Sequence, residues 1–150
     1  MWGQLSFKFP PLGLLTIAGV TPAEYDVELV DENVTPIDFE TDADLIALSV
    51  MTPLAYRAYE IGDAFRARGQ TVVMGGIHVS FEPEEAQPHA DVIVTGEAEN
   101  IWPTVLEDFS RGRLQKRYRV NELVDMSPAL PAPRRDLLSQ GRYLTRSTIQ

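Results

Sequence analysis

Four short runs of aliphatic and β-branched residues recur along this chain, at residues 27–31, 45–50, 71–75 and 92–95, each closing on small or polar residues. Runs of that length and composition read as strands. Ile46-Ala47-Leu48-Ser49-Val50 and Val92-Ile93-Val94 are continuous rather than alternating. Continuous hydrophobicity is what parallel strands show when helices cover both faces of their sheet. The spacing of the runs therefore restricts the chain to an α/β architecture: a Rossmann-like or flavodoxin-like doubly wound parallel sheet of four to five strands.

The segments between the runs fit that reading. After residue 50, Leu54, Ala58, Ile61 and Phe65 form a stripe at helical spacing, with Thr52 placed to cap it, Pro53 suited to its first turn and Gly69 to its end. A second helix is expected from near Glu99, carrying Trp102, Val105, Leu106 and Phe109 on one face and stopping at Gly112. Residues 12–18 are apolar nearly all round and are entered through Pro10-Pro11, which predicts a buried helix. The connection from Asp31 to Asp44 is close to the minimum for a crossover, so a short or irregular helix is expected there. A doubly wound domain normally starts on a strand, whereas here a buried-type helix precedes the first clear one. The first strand is missing or replaced, and residues 4–9, in which Leu5, Phe7 and Phe9 alternate with polar residues, are its candidate replacement.

Beyond Arg111 the composition turns basic and then passes through Ser127-Pro128-Ala129-Leu130-Pro131-Ala132-Pro133. This divides the chain into an α/β domain over residues 1–112 and a linker over residues 113–150. The formal charge of −9 disfavours nucleic-acid partners, whose binding rests on Lys and Arg displacing condensed counterions. With no cysteine, a thiolate-bound zinc or iron–sulfur centre within these residues is excluded. The longest apolar stretch is far short of a bilayer span and lacks a basic flank, so no membrane association and a cytoplasmic setting are expected.

In open α/β sheets, ligands sit beyond the carboxyl ends of the strands. The candidate residues are therefore Asp31, Glu32 and Asn33; Ser49, Met51 and Thr52; Gly75, Gly76 and His78; and Gly96 and Glu97. Gly75-Gly76 allows either a tight turn or the close approach of a ligand. Ser49 is read as a hydroxyl within a buried strand, where it needs a partner. Thr52 is read as a ligand contact or simply a cap, and Glu97 as a contact or an acceptor for loop backbone. His89, beside Pro88, is read as a surface residue, and Glu82, Glu84, Glu85 and Glu99 as solvated acids. There is no G-x-G-x-x-G, no Walker loop and no nucleophile elbow, and no catalytic or metal-ligating set is assigned.

Taken together, Phe9-Pro10-Pro11-Leu12-Gly13-Leu14-Leu15, Val30-Asp31-Glu32-Asn33, Gly75-Gly76-Ile77-His78-Val79, Val94-Thr95-Gly96-Glu97-Ala98-Glu99 and Pro131-Ala132-Pro133-Arg134-Arg135-Asp136-Leu137-Leu138 resemble the N-terminal cobalamin-binding domain of B12-dependent radical SAM enzymes. The resemblance implies a corrinoid at the strand ends, its nucleotide tail inserted beside Ser49 and Gly75-Gly76. Ser49-Val50-Met51 is similar to the S-x-L element of cobalamin domains, with Met51 in place of leucine. No D-x-H-x-x-G motif is present, which implies a cobalt without a protein histidine on its lower face. The resemblance further implies a parent enzyme, a methyltransferase or oxidative-cyclase-like protein, in which a C-terminal radical SAM barrel with a 4Fe-4S cluster and S-adenosylmethionine follows Ile149-Gln150. With the first strand absent, the strand at residues 45–50 would present an open edge inviting self-association. A flavodoxin-like regulatory or interaction domain without cofactor is the alternative reading.

Overall fold

The computed structural model describes residues 10–120, 131–139 and 143. Four strands, β1 (Leu45–Ser49), β2 (Thr71–Gly75), β3 (Val92–Thr95) and β4 (Arg117–Arg119), form one sheet in the order β1-β2-β3-β4, every pair parallel. This is the α/β layered architecture expected from the strand pattern. The helices are α1 (Leu12–Val20), α2 (Ala55–Ala67), α3 (Ile77–Phe81), α4 (Pro83–Ala86) and α5 (Trp102–Ser110).

Alternation along β2 and β3 sends side chains to two separate cores, because successive residues of a strand face opposite sides of the sheet. On the first face, Val72, Met74 and Ile93 pack with Ala58, Ile61 and Phe65 of α2 and with Val79 and Ala86 of α3 and α4. Ile46 and Leu48 of β1 join them. On the second face, Val73, Val92, Val94 and Tyr118 pack with Trp102, Val105 and Leu106 of α5, while Ile17 and Val20 of α1 lie against the same cluster. Helices thus cover both faces of β2 and β3, which explains why these strand sequences show no polar alternation.

Several details differ from the sequence reading. Residues 27–31 are extended, with alternating half-buried and exposed positions, but pair with no strand among the described residues. An extended run becomes a strand only when a neighbour takes its backbone hydrogen bonds. The connection to β1 forms turns rather than a helix; Val34 and Thr35 donate N–H to the Asp31 carbonyl at 2.8 and 2.9 Å. Thr52 does not cap α2. It opens a short 3-10 turn (Thr52–Leu54) and makes no capping hydrogen bond, and α2 begins at Ala55.

β4 arises within the stretch read as linker. Tyr118 is 5% exposed, and its hydroxyl donates to Asp108 on α5 at 2.7 Å while accepting the Gln115 N–H at 3.1 Å. Arg113 Nε donates to the other Asp108 oxygen at 2.7 Å. These bonds fasten the turn after α5, so that the sheet extends beyond residue 112. Residues 131–139 also fold back: Arg134 N–H donates to the Leu15 carbonyl at 3.0 Å, and Leu138 is buried. The candidate strand at residues 4–9, and residues 121–130 of the linker, lie outside the described residues. No described helix is long and apolar enough to cross a membrane.

Candidate ligand site at the strand ends

Among the described residues, β1 stands at the edge of the sheet and pairs only with β2. On the second face this edge is open: Ala47 and Ser49 are exposed. Ser49 lies directly across from Gly75 in the β1–β2 register, so the hydroxyl faces a position with no side chain. The result is a notch floored by Ala47, Ser49 and Gly75 at the carboxyl end of the sheet. Ser49 is therefore not the buried strand hydroxyl expected from its neighbours, because the second face is covered only over β2, β3 and β4.

Gly76 holds the rim of this notch together. Its φ of +99° and ψ of −179° belong to a region that only glycine occupies readily, and a Cβ there would lie 2.8 Å from Val50 N and 2.9 Å from Val50 O. Those two atoms join the loops, since Val50 N–H donates to the Gly75 carbonyl at 2.8 Å and the Val50 carbonyl accepts His78 N–H at 3.1 Å. Gly96, after β3, is held by Ser80, whose hydroxyl accepts the Gly96 N–H at 3.0 Å, and Glu97 beyond it is exposed.

Exposed apolar side chains follow the same strand ends. Met51 and Leu54, after β1, are 57% and 52% exposed; Ile77 and Phe81, after β2, are 60% and 77% exposed. Burying such residues in water-free contact is favourable at ~25 cal/mol per Å² of apolar surface.

The remaining sequence-selected residues have other partners. Asp31 accepts both the N–H and the side-chain amide of Asn33 at 3.0 Å, and the Tyr143 hydroxyl donates to it at 3.1 Å. Desolvation, followed by the Asp31 charge, pushes the Tyr143 hydroxyl up to about 12. Glu32 accepts from Arg57 Nε at 3.1 Å, and this bond holds its carboxyl below the usual value against a smaller opposing effect of burial. These acids brace the turn at residues 31–35 against α2.

His78 lies within α3 and is 5% exposed. Its Nε2 is 2.8 Å from the Tyr59 hydroxyl and 3.6 Å from Glu85 Oε1, and the same hydroxyl lies 3.2 Å from that oxygen. Its Nδ1 is buried and has no partner. His89 stacks on Tyr59 at 4.3 Å between ring centroids and lies 2.9 Å from Asp63 through Nδ1. Tyr56, Tyr59, Glu60, Asp63, Glu85 and His89 line a cavity of about 480 Å³ on the flank of α2, separate from the notch. Sequence reasoning missed Tyr59, which has no local signal beyond its place on α2. Among the described residues, no group of three or more His, Asp or Glu side chains is arranged to hold a metal ion.

The family model described as "B12 binding domain" matches residues 2–106. The chain is 51% identical over 108 residues to the bacteriochlorophyllide d C-8(2)-methyltransferase of Chlorobaculum tepidum, a match covering 71% of this chain and 24% of that protein. It is 32% identical over 124 residues to the C-12(1)-methyltransferase of the same organism, covering 81% of this chain and 27% of that one. The chain thus spans about a quarter of the length of these relatives. Among solved structures, the N-terminal domain of a hypothetical protein from Thermotoga maritima aligns with a TM-score of 0.47 at 26% identity, covering 63% of this chain and 78% of that one.

Proposed function

The chain belongs to the B12-binding domain family, and from that premise we propose that it holds a corrinoid over the carboxyl ends of β1 and β2, with the nucleotide tail in the notch of Ala47, Ser49 and Gly75. The notch carries this reading: an exposed hydroxyl set against a glycine, at a margin of the sheet that no described helix covers. Gly76 keeps the rim low, because any side chain there would strike Val50. Met51, Leu54, Ile77 and Phe81 offer apolar contact to a macrocycle laid across the rim. Thr52, Asn33, Gly96 and Glu97 are the polar groups beside it, and Asp31 and Glu32 brace the turn that presents Asn33. A corrinoid bound there supplies a cobalt centre able to carry a methyl group.

Neither histidine is presented at the rim. His78 is turned inward onto Tyr59, and His89 is committed to Tyr59 and Asp63. This supports a corrinoid held without a protein imidazole on its lower face.

In the longer protein, the chain serves as the cofactor module of a methyltransferase or a related radical enzyme. Its similarity to two methyltransferases about four times its matched length supports that reading. The following domain is then a radical SAM barrel with a 4Fe-4S cluster and S-adenosylmethionine, in a cytoplasmic setting. Among the described residues β1 is paired on one side, and this supports self-association of the isolated chain through that edge.

Incubation with hydroxocobalamin, followed by gel filtration and a visible spectrum of the protein peak, tests the cofactor reading. Co-eluting corrinoid with a base-off spectrum is expected. Colourless protein that retains its α/β circular dichroism at saturating corrinoid would overturn the proposal in favour of a domain that binds no cofactor.

A further inference from the structure

We infer that residues 131–139 and Tyr143 are a strap belonging to the folded domain, which grips α1 and latches onto the turn at residues 31–35, and that Tyr143 thereby positions this turn for the ligand. The last step rests on the corrinoid reading above.

The grip explains why α1 is apolar nearly all round. At about 100° per residue, Ile17 and Val20 lie on one side of the helix, and Leu15 and Gly19 on the other. Ile17 and Val20 pack against the core of the second face. The opposite side meets the strap: Arg134 N–H donates to the Leu15 carbonyl at 3.0 Å, and a Cβ on Gly19 would lie 2.7 Å from the Ala132 carbonyl oxygen. The segment therefore runs alongside α1 in the opposite direction, and the absent side chain at Gly19 lets the two backbones come this close. Leu15 and Leu138 are 0% and 3% exposed, yet neither belongs to the two sheet cores.

Asp31 divides its carboxyl between two tasks. Oδ1 accepts the N–H and the side-chain amide of Asn33, both at 3.0 Å, while Oδ2 accepts the Tyr143 hydroxyl at 3.1 Å. With its hydroxyl pushed up to about 12, Tyr143 keeps its proton and donates throughout the neutral range. The neighbouring Glu32 is bonded to Arg57 in the first turn of α2, which follows the carboxyl end of β1, so this turn stands at the rim. Residues 27–31 have no strand partner among the described residues, and the side-chain bonds of Asp31 and Glu32 take the place of a ladder. Tyr143 is accordingly a positioning residue acting through Asp31.

Gly19→Ala drives a side chain into the Ala132 carbonyl, whereas Gly13→Ala, on the same helix with nothing within 4 Å of its Cβ, is the control. Tryptic cleavage after Arg134 and Arg135 should be at least about fivefold faster in Gly19→Ala and unchanged in Gly13→Ala. Leu138→Ala, which alters the strap and not the helix, should speed cleavage likewise. Parental cleavage rates in both Gly19→Ala and Leu138→Ala would overturn the grip.

Tyr143→Phe, which removes only the hydroxyl, should speed amide exchange at Asn33 by about twofold or more and weaken hydroxocobalamin binding, read by titration, about twofold to tenfold, the range of one hydrogen bond. In an Asp31→Ala background the same substitution should cause no further loss, because its route to the site is gone. Parental exchange at Asn33 would overturn the latch. Parental affinity in Tyr143→Phe, or a loss that persists undiminished beside Asp31→Ala, would overturn the positioning role. If the parent chain binds no corrinoid, that role falls with the cofactor reading, while cleavage and exchange still decide the strap.

Discussion

Replacing Gly76 with alanine probes the loop junction on which the proposed site depends. Two costs combine. The φ/ψ pair of +99° and −179° strains an L side chain by about 1–3 kcal/mol. The added Cβ also falls 2.8 and 2.9 Å from Val50 N and O, which are backbone atoms engaged in hydrogen bonds and cannot swing aside. Crowding of that kind typically adds about 1–3 kcal/mol. The total, roughly 2–6 kcal/mol, lowers a urea midpoint by about 1–3 M at a slope of about 2 kcal/mol per M. Gly69 provides the control: its φ is +86°, but a Cβ there meets nothing within 4 Å, so Gly69→Ala carries backbone strain alone, about 1–2 kcal/mol. Urea unfolding of both variants by circular dichroism, with hydroxocobalamin retention measured in parallel, separates the contributions. Equal midpoints for the two variants would show that contact with Val50 contributes nothing.

Other outcomes follow from the same geometry. The Tyr118 hydroxyl, followed by Arg113, holds the Asp108 carboxyl below its usual value against burial. A carboxyl lowered in the folded state contributes stability above its unfolded value, near pH 4, and loses it as pH falls through the folded value. Asp108→Asn should therefore be less stable than the parent at pH 7 and converge with it in acid; a gap that stays constant from pH 6 to strongly acid solution, about two units below the unfolded value, would refute this. Arg57→Ala should leave the urea midpoint nearly unchanged, since Arg57 and Glu32 are 43% and 40% exposed, yet speed amide exchange at Val34 and Thr35; unchanged exchange would show that Glu32 does not brace that turn. Sedimentation velocity of the ligand-free chain should show association that grows with concentration; a strict monomer throughout would refute pairing through the β1 edge.

The sheet was legible because residues 45–50, 71–75 and 92–95 carry a local hydrophobic signal, which in β2 and β3 comes from burial on both faces and in β1 from Ile46 and Leu48 on the first face. The α2 stripe was legible for the same reason. β4 was not: Arg117-Tyr118-Arg119 holds one apolar residue among bases, and it is a strand because β3 offers an edge and Asp108 receives the Tyr118 hydroxyl. Residues 27–31 erred in the opposite direction, since their local pattern is extended but pairing depends on a neighbour. At the strand ends, the sequence pointed to Ser49 and Gly75-Gly76 but not to their alignment across the ladder, and Tyr59 and Glu85 reach His78 only through the packing of α2 and α4.

The notch has a further property as a piece of construction. Its floor is made of opposite positions on two paired strands rather than of parts of a loop, so its shape depends on strand alignment. That alignment is held from behind: Ile46 and Leu48 stand across from Val72 and Met74 and point into the core on the other side of the sheet. A slip of one residue would turn the Ser49 hydroxyl into that core and bring a bulkier neighbour to the opening. Tuning of the ligand's fit is thus open to substitutions it never touches, among aliphatic residues on the far side of the sheet.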